Sequence, residues 1–274
     1  SHIYNFYLFL ENNYGSWAVI VGSAEGLGEA FSTALAKRGI NLIMIDNQAD
    51  TLYALANKIE KDFKVETTKI HLDVSEPDAV TNIILEIQKV DCRLLIYNAA
   101  FSLIKPFVDL SEEELDKFVQ VNAKAQLKLV QQFAKILIEK KQQGGILLMS
   151  SLAGLIGVQL VSSYAATKAF TWNLAEALYH ELKPQGIDVL ACIAGTTATP
   201  TFLKTKPAYG AIKPQIMTAE AVAESALQKL GRKALFIPGF SNRMNYFILT
   251  RLLPRRMAAA VANNAMLSMF KHKI

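Results

Sequence analysis

The chain has 274 residues, 51% of them hydrophobic and 19% charged, with a formal net charge of +5. That balance suits a globular protein of one large or two small domains and excludes disordered, collagen-like and disulfide-framework chains. Nine of the 29 Lys and Arg residues follow Glu224 with no Asp or Glu among them, so the body holds 20 bases against 24 acids.

In chain order, residues 1–16 read as an N-terminal extension. Its apolar stretch "IYNFYLFL" is too short, and lacks the basic flank, for a signal peptide. No apolar run approaches the ~20 residues of a membrane span. "WAVIV" is a strand closed by Gly22, and a helical pattern then runs to Arg38 with Gly39 placed as its C-cap. "NLIMID" is a second strand, a helix reaches Phe63, and "TTKIHLDV" is a third strand. Pro77 stands near the start of the next helix, where a missing N–H does no harm. "RLLIYNAA" is a fourth strand, and Ser111 with Glu114 forms a capping box for a long helix toward Lys141.

"GILLMSS" and "DVLACIAG" flank a helix from about Ser163 to Lys183. Residues 196–217, rich in Pro, Gly, Thr and Lys, form the one long irregular segment, expected to be a substrate loop. Thr218 opens another helix and "ALFIPG" is the last strand. Solid apolar strands separated by helices predict a parallel sheet covered on both faces: a doubly wound, Rossmann-type α/β fold in one domain, residues 17–240. The two cysteines, Cys92 and Cys192, lie within those strands and read as reduced core residues of a protein in a reducing, cytoplasmic compartment.

Residues 241–274 read as a basic amphipathic helical extension. Met257, Val261, Met266, Leu267 and Phe270 recur at helical spacing beside Arg251, Arg255 and Arg256. Such a helix lies in a membrane interface, packs on the body as a lid or makes a subunit contact, and a basic tail is equally an ordinary solvated face. A nucleic-acid partner is not expected, since neither a recognition motif nor an aromatic stacking platform accompanies the charge.

Gly22, Gly26 and Gly28 stand between the first strand and the first helix, where glycines let a backbone approach a pyrophosphate held by the helix N-terminus. Asp46 ends the second strand; a carboxylate there accepts from an adenosine ribose and repels a 2′-phosphate. Glu25 adds charge, and no Arg or Lys stands at 47 or 48, so NAD(H) is expected over NADP(H). Asp73 is placed to meet an adenine amino group, or simply to cap the segment after it.

Three Tyr-x-x-x-Lys pairs occur: Tyr164/Lys168, Tyr179/Lys183 and Tyr209/Lys213. Ligands of an open parallel sheet bind outside the carboxyl ends of its strands, and only Tyr164 both begins a helix and has a serine, Ser151, closing the strand before it. An ammonium one turn along favours the phenolate and is expected to lower the pKa of Tyr164. Ser151 would bond the substrate oxygen while Tyr164 moves the proton.

Gly22, Gly26 and Gly28 with Asn98, Ala99, Asn122, Ser151 and Tyr164/Lys168, in that order over roughly residues 17–238, resemble the short-chain dehydrogenase/reductase family. The resemblance implies a catalytic tetrad of Asn122, Ser151, Tyr164 and Lys168, in which Asn122 holds a water that relays protons through Lys168. It adds Leu27, Val74, Asn98, Ala99 and Thr199 to the cofactor contacts, Thr199 at the nicotinamide carboxamide. The flanks "YGSWAVIVGSAEGLGEAF" and "LPRRMAAAVANN" are similar to the branch of very-long-chain 3-oxoacyl-CoA reductases and 17β-hydroxysteroid dehydrogenases. That branch is membrane-associated and commonly uses NADPH, from which Asp46 departs.

Val21, Tyr97, Ala100 and Ala194 also depart from the family pattern, the first three in the expected nucleotide pocket. The implied function is hydride transfer between NAD(H) and a secondary alcohol or ketone of an apolar substrate, by a homodimer or homotetramer. The alternative is a catalytically weakened dinucleotide-binding regulator or scaffold.

Overall fold

The computed structural model describes residues 13–208 and 215–271. Its main sheet contains β1 (Trp17–Val21), β2 (Asn41–Asp46), β3 (Thr67–His71), β4 (Cys92–Tyr97), β5 (Gly144–Ser151), β6 (Ile187–Ala194) and β9 (Leu235–Phe236). All pair in parallel, in the order β3-β2-β1-β4-β5-β6-β9. The chain runs outward from β1 to β3, then crosses back to β4 on the other side of β1. The crevice at the carboxyl ends of β1 and β4 is therefore the switch point where such sheets bind ligands.

The helices cover both faces, because successive strand residues point to opposite sides. Ala18 and Ile20 of β1 pack against α1 (Leu27–Ala36), α2 (Ala49–Phe63) and α8 (Ala219–Leu227), around Phe31, Leu52 and Leu227. Val19 and Val21 face α3 (Ala79–Gln88), α5 (Ala125–Glu139) and α6 (Ser162–Leu182), around Ile83, Phe133 and Ala175. Each such large side chain, fully buried, contributes roughly 1.5–3 kcal/mol, which holds the crevice on a rigid base.

Several expectations are refined. The helix expected from Ser111 to Lys141 carries its capping box, but α4 (Glu112–Val119) and α5 are joined by a π turn at Gln120–Lys124. Residues 196–217 are not wholly irregular: β7 (Thr197–Ala198) pairs with β8 (Met217–Thr218), and α7 (Pro200–Lys204) lies between them. The Tyr209/Lys213 pair falls outside the described residues. Tyr14, within the expected N-terminal extension, is core; it is 2% exposed and its hydroxyl donates to Asp188 Oδ2 at 2.9 Å.

The C-terminal extension forms α9 (Phe240–Phe247), a π turn at Ile248–Leu252 and α10 (Arg255–Phe270). Its expected apolar row is split. Met266 and Phe270 are buried against Leu160 and Val161, whereas Met257 and Val261 are more than half exposed. Asn263 fixes α10 to the body, accepting from Gln159 N at 2.8 Å and donating to Gly157 O at 3.0 Å. This part of the tail packs on the body. No helix of the described residues is long and apolar enough to cross a membrane.

Candidate active site

A cleft of about 900 Å³ opens at the carboxyl ends of β1, β4 and β5, from the glycine turn at one end to α10 at the other. The turn exists because of close packing. Gly22 has φ 78°, and a Cβ there would stand 2.7 Å from the Ala99 backbone; one on Gly28 would meet Gly22 O at 1.9 Å. Gly26 is the N-cap of α1 and provides no side-chain cap, leaving the positive end of that helix to the cleft. Gly22, Gly26 and Leu27 line the cleft, as do Asn98 and Ala99 opposite them.

The polar residues expected around a dinucleotide all have partners within the protein. Asp46 is 7% exposed and receives Ala24 N on Oδ2 at 2.8 Å and Gln48 N on Oδ1 at 3.1 Å, so it braces the glycine turn. Asp73 accepts from Ser75 N and Oγ at 2.9 and 2.7 Å and pairs with Lys117 Nζ at 3.2 Å. Burial works to raise the Asp73 carboxyl, but the bonds from Ser75 and Lys117 outweigh it and leave it below its usual value. Asp73 thus braces its own turn and does not cap the helix that follows, whose N-cap is Asp78.

Asn98 donates to Gly22 O at 2.7 Å, tying β4 to the turn. Thr199 caps α7, accepting from Phe202 N at 3.2 Å. Asp46, Asp73, Val74 and Thr199 nevertheless line the cleft.

At the other end, Ser151, Tyr164 and Lys168 share the wall. The turn Leu152–Gly154 presses β5 against α6, since a Cβ on Gly154 would lie 2.6 Å from Ala169 N. Ser150 Oγ donates to Lys168 O at 2.7 Å and Lys168 Nζ to Met149 O at 2.7 Å. Tyr164 is half-buried beneath the C-terminal helix, and Ser151 stands near enough to act on its phenol.

The expected acidification of Tyr164 by Lys168 is not found. Burial raises the phenol above its ordinary value, only partly offset by Ser151, and pushes the Lys168 ammonium down to about 8. The reason is geometric: Lys168 Nζ lies 5.5 Å from the ring centroid and is tied to a carbonyl. Of the rival pair, Lys183 is bonded to Asp188 Oδ1 at 2.5 Å, and Tyr179 does not line the cleft.

Asn122 stands apart from the other three and does not line the cleft. It sits in the π turn, 2% exposed. Its Oδ1 accepts from Phe101 N at 2.7 Å, and its Nδ2 donates to Phe101 O at 2.9 Å and to Thr167 Oγ1 at 3.0 Å. Among the family departures, Ala100 lines the cleft, but Val21 and Tyr97 do not; they are core. Tyr97 spends its hydroxyl on Val121 O at 2.7 Å.

Sequence reasoning missed Thr167 and also Asn242. The latter is buried against Gly195, donates to Pro238 O at 2.9 Å and lines the cleft. Only a polar residue on an otherwise mixed helix signalled it.

The family model described as short chain dehydrogenase matches residues 16–210. A 7beta-hydroxysteroid dehydrogenase of Mediterraneibacter gnavus is 28% identical over 85% of this chain and 90% of its own. A very-long-chain 3-oxoacyl-CoA reductase of Mus musculus is 31% identical over 79% of this chain and 69% of its own. Among solved structures, one from work on 7beta-hydroxysteroid dehydrogenase stereoselectivity superposes with a TM-score of 0.85 at 27% identity, covering 92% of this chain and 98% of that one.

Proposed function

The chain belongs to the short-chain dehydrogenase family and is an NAD(P)-dependent oxidoreductase, and we propose that it interconverts a secondary alcohol and a ketone on an apolar, 3-oxoacyl-CoA-like or steroid-like skeleton, using NAD(H). The observation that carries this reading is one continuous cleft, with the glycine turn at one end and Ser151, Tyr164 and Lys168 beneath the C-terminal helix at the other. The names of the relatives, a hydroxysteroid dehydrogenase and a 3-oxoacyl-CoA reductase, support a large apolar substrate.

The close-packed glycines leave room for a dinucleotide at the switch point, and the bound cofactor supplies or accepts the hydride. Gly22, Gly26 and Leu27 would hold its pyrophosphate, with Gly28 packed behind them against Gly22 O; Asp46 would hold the adenosine ribose, and Asp73 and Val74 the adenine. Asn98, Ala99, Lys168 and Thr199 would hold the nicotinamide half. Ser151 bonds the substrate oxygen and Tyr164 gives or takes its proton. Asn122 acts as a positioning residue, joining Phe101 in the cleft wall to Thr167 on α6. Preference for NAD(H) rests on Asp46, on Glu25 in the glycine turn, and on uncharged Asn47 and Gln48 beside them in the cleft.

We also place the protein in a reducing, cytoplasmic compartment, in keeping with the free, buried thiols of Cys92 and Cys192. Self-association as a homodimer or homotetramer through α4, α5 and α6 is supported by exposed Val119, Leu127 and Ile138. The reading as a weakened regulator loses ground, because Val21 and Tyr97 serve the core.

A panel of ketones and 3-oxoacyl-CoA esters assayed with NADH, followed by absorbance, tests the proposal. Turnover is expected, and Tyr164→Phe should fall to background. No cofactor-dependent turnover on any substrate, or a fully active Tyr164→Phe, sinks it.

A further inference from the structure

Phe240, Met244, the adjacent Phe247 and Ile248, and Leu252 follow one another at about one-turn spacing along α9 and the π turn that continues it, so they share one face. That face is turned from the core: Phe240 is 70% exposed, Leu252 62% and Phe247 49%. Single exposed apolar residues are ordinary, but a row of large ones marks a contact surface. By the same spacing Arg251 falls on this face, and Arg255 and Arg256 begin α10; all three are exposed, whereas Arg243 at the margin donates to Ile237 O at 3.3 Å. No ion pair among the described residues engages any of them. No Asp or Glu follows Glu224 to neutralise them.

Large apolar side chains bordered by unpaired cations have the composition of a helix that lies in a lipid interface. We propose that the face from Phe240 to Leu252 docks on an anionic lipid surface, its apolar side chains in the boundary between headgroups and acyl chains and its arginines among the phosphates. A second copy of this chain fits the face poorly. Two-fold pairing would set its arginines near their own counterparts, with no carboxylate on the face to offset them. The opposite side of the same helix carries Asn242, which is buried and lines the cleft, and Asn245 at the edge of the face lines it too. Docking therefore brings the cleft beside the bilayer, a route for an apolar substrate if the proposed function holds; the docking itself rests on the surface alone.

The test is flotation of the full chain with vesicles of phosphatidylcholine alone, or with about one third phosphatidylglycerol to supply the anionic charge. Binding is expected to the anionic vesicles and to weaken with salt. At about 1 kcal/mol per cation near the surface, Arg251→Ala/Arg255→Ala should weaken it roughly thirtyfold. Phe247→Ser/Leu252→Ser should abolish it, with thermal melting and turnover of a water-soluble ketone unchanged in both variants, since none of the four residues lines the cleft.

A parent protein that stays unbound on both vesicle types overturns the proposal, as does binding that both double variants retain. A parent dimer that sediments as monomer after Phe247→Ser/Leu252→Ser, without vesicle binding, assigns the face to a second copy instead. Vesicle binding by a chain inactive on every ketone would leave the docking standing and overturn only the proposed reaction.

Discussion

Replacing Thr167 by Val deletes one hydroxyl and nearly preserves side-chain shape, yet it breaks two bonds. Thr167 Oγ1 accepts from Asn122 Nδ2 at 3.0 Å and donates to Tyr164 O at 2.9 Å. Without it Asn122 keeps both bonds to Phe101 but loses the partner of its second amide hydrogen, at a site only 2% exposed. A buried donor left unmet costs about 1–3 kcal/mol. At roughly 2–4 °C of Tm per kcal/mol for a chain near this size, Tm should fall by about 2–12 °C.

The same link orients the start of α6, which carries Tyr164 and Lys168. A misplacement approaching 1 Å costs up to about 100-fold, so kcat should fall by about ten- to a hundredfold with little change in cofactor KM. Thermal melting and steady-state kinetics on one ketone, with Thr167→Ser alongside, measure both effects. The serine variant restores the hydroxyl and should restore Tm and kcat together. A valine variant that melts and turns over like the parent, or a serine variant no better than valine, refutes the reasoning.

Three more outcomes follow from the cleft. Burial pushes Lys168 down to about 8 from 10.5. At this group the folded state therefore binds fewer protons than the unfolded chain between those values, and its contribution to stability should rise with pH across that window, by on the order of 3 kcal/mol for the whole shift. The raised phenol of Tyr164 reverses the trend above its ordinary value of 10.0. The thiols of Cys92 and Cys192, raised by burial, lower the stability of both proteins as pH passes 9.0, so urea unfolding of the parent and Lys168→Met should differ by the Lys168 slope; parallel curves would contradict it. Gly28→Ala places a Cβ 1.9 Å from Gly22 O, so NADH binding followed by fluorescence should be lost, and parental affinity would show that the turn adapts. Asp46→Ala frees Ala24 N and Gln48 N and removes the carboxylate set against a 2′-phosphate. It should lower Tm and raise the ratio of NADPH to NADH turnover, whereas a parent that already prefers NADPH would defeat the cofactor assignment.

What could be read in the sequence was local. β1, β2, β4, β5 and β6 are apolar runs, and a run buried on both sides of a sheet carries its own signal. Ser151, Tyr164 and Lys168 were legible because one serves as the end of a strand and the others stand one turn apart on a helix. What escaped depends on pairings across the fold. Asn122 meets Thr167 across 45 positions, Asp46 meets Ala24 across 22, and Asn242 meets Gly195 only once α9 folds back over β6. The π turn at Gln120–Lys124 left no trace either, because its residues would serve equally well in an α-helix. The tail shows a different limit: at about 100° per residue Met257 and Met266, nine positions apart, stand on opposite sides of α10, so the expected row was two faces, and only the packing shows which of them is buried.

The phenol and ammonium of the cleft show why spacing cannot supply an ionisation state. At an effective dielectric of about 20, a charge 5.5 Å from the Tyr164 ring is worth roughly 3 kcal/mol to a phenolate. Removing a phenolate from water costs as much, and removing an ammonium opposes the pair a second time. The balance falls on the side of burial for both groups, Tyr164 rising and Lys168 falling. What can tip it is a hydrogen bond made directly to the phenol oxygen, since that acts at contact distance. Ser151 already acts to lower the phenol, while Lys168 Nζ is held at Met149 O, 5.5 Å from the ring centroid. The reactivity of this tyrosine is therefore set by the number of donors that reach its oxygen. That number is decided by how β5 and the turn after it meet α6, in contacts that no periodicity in the sequence encodes.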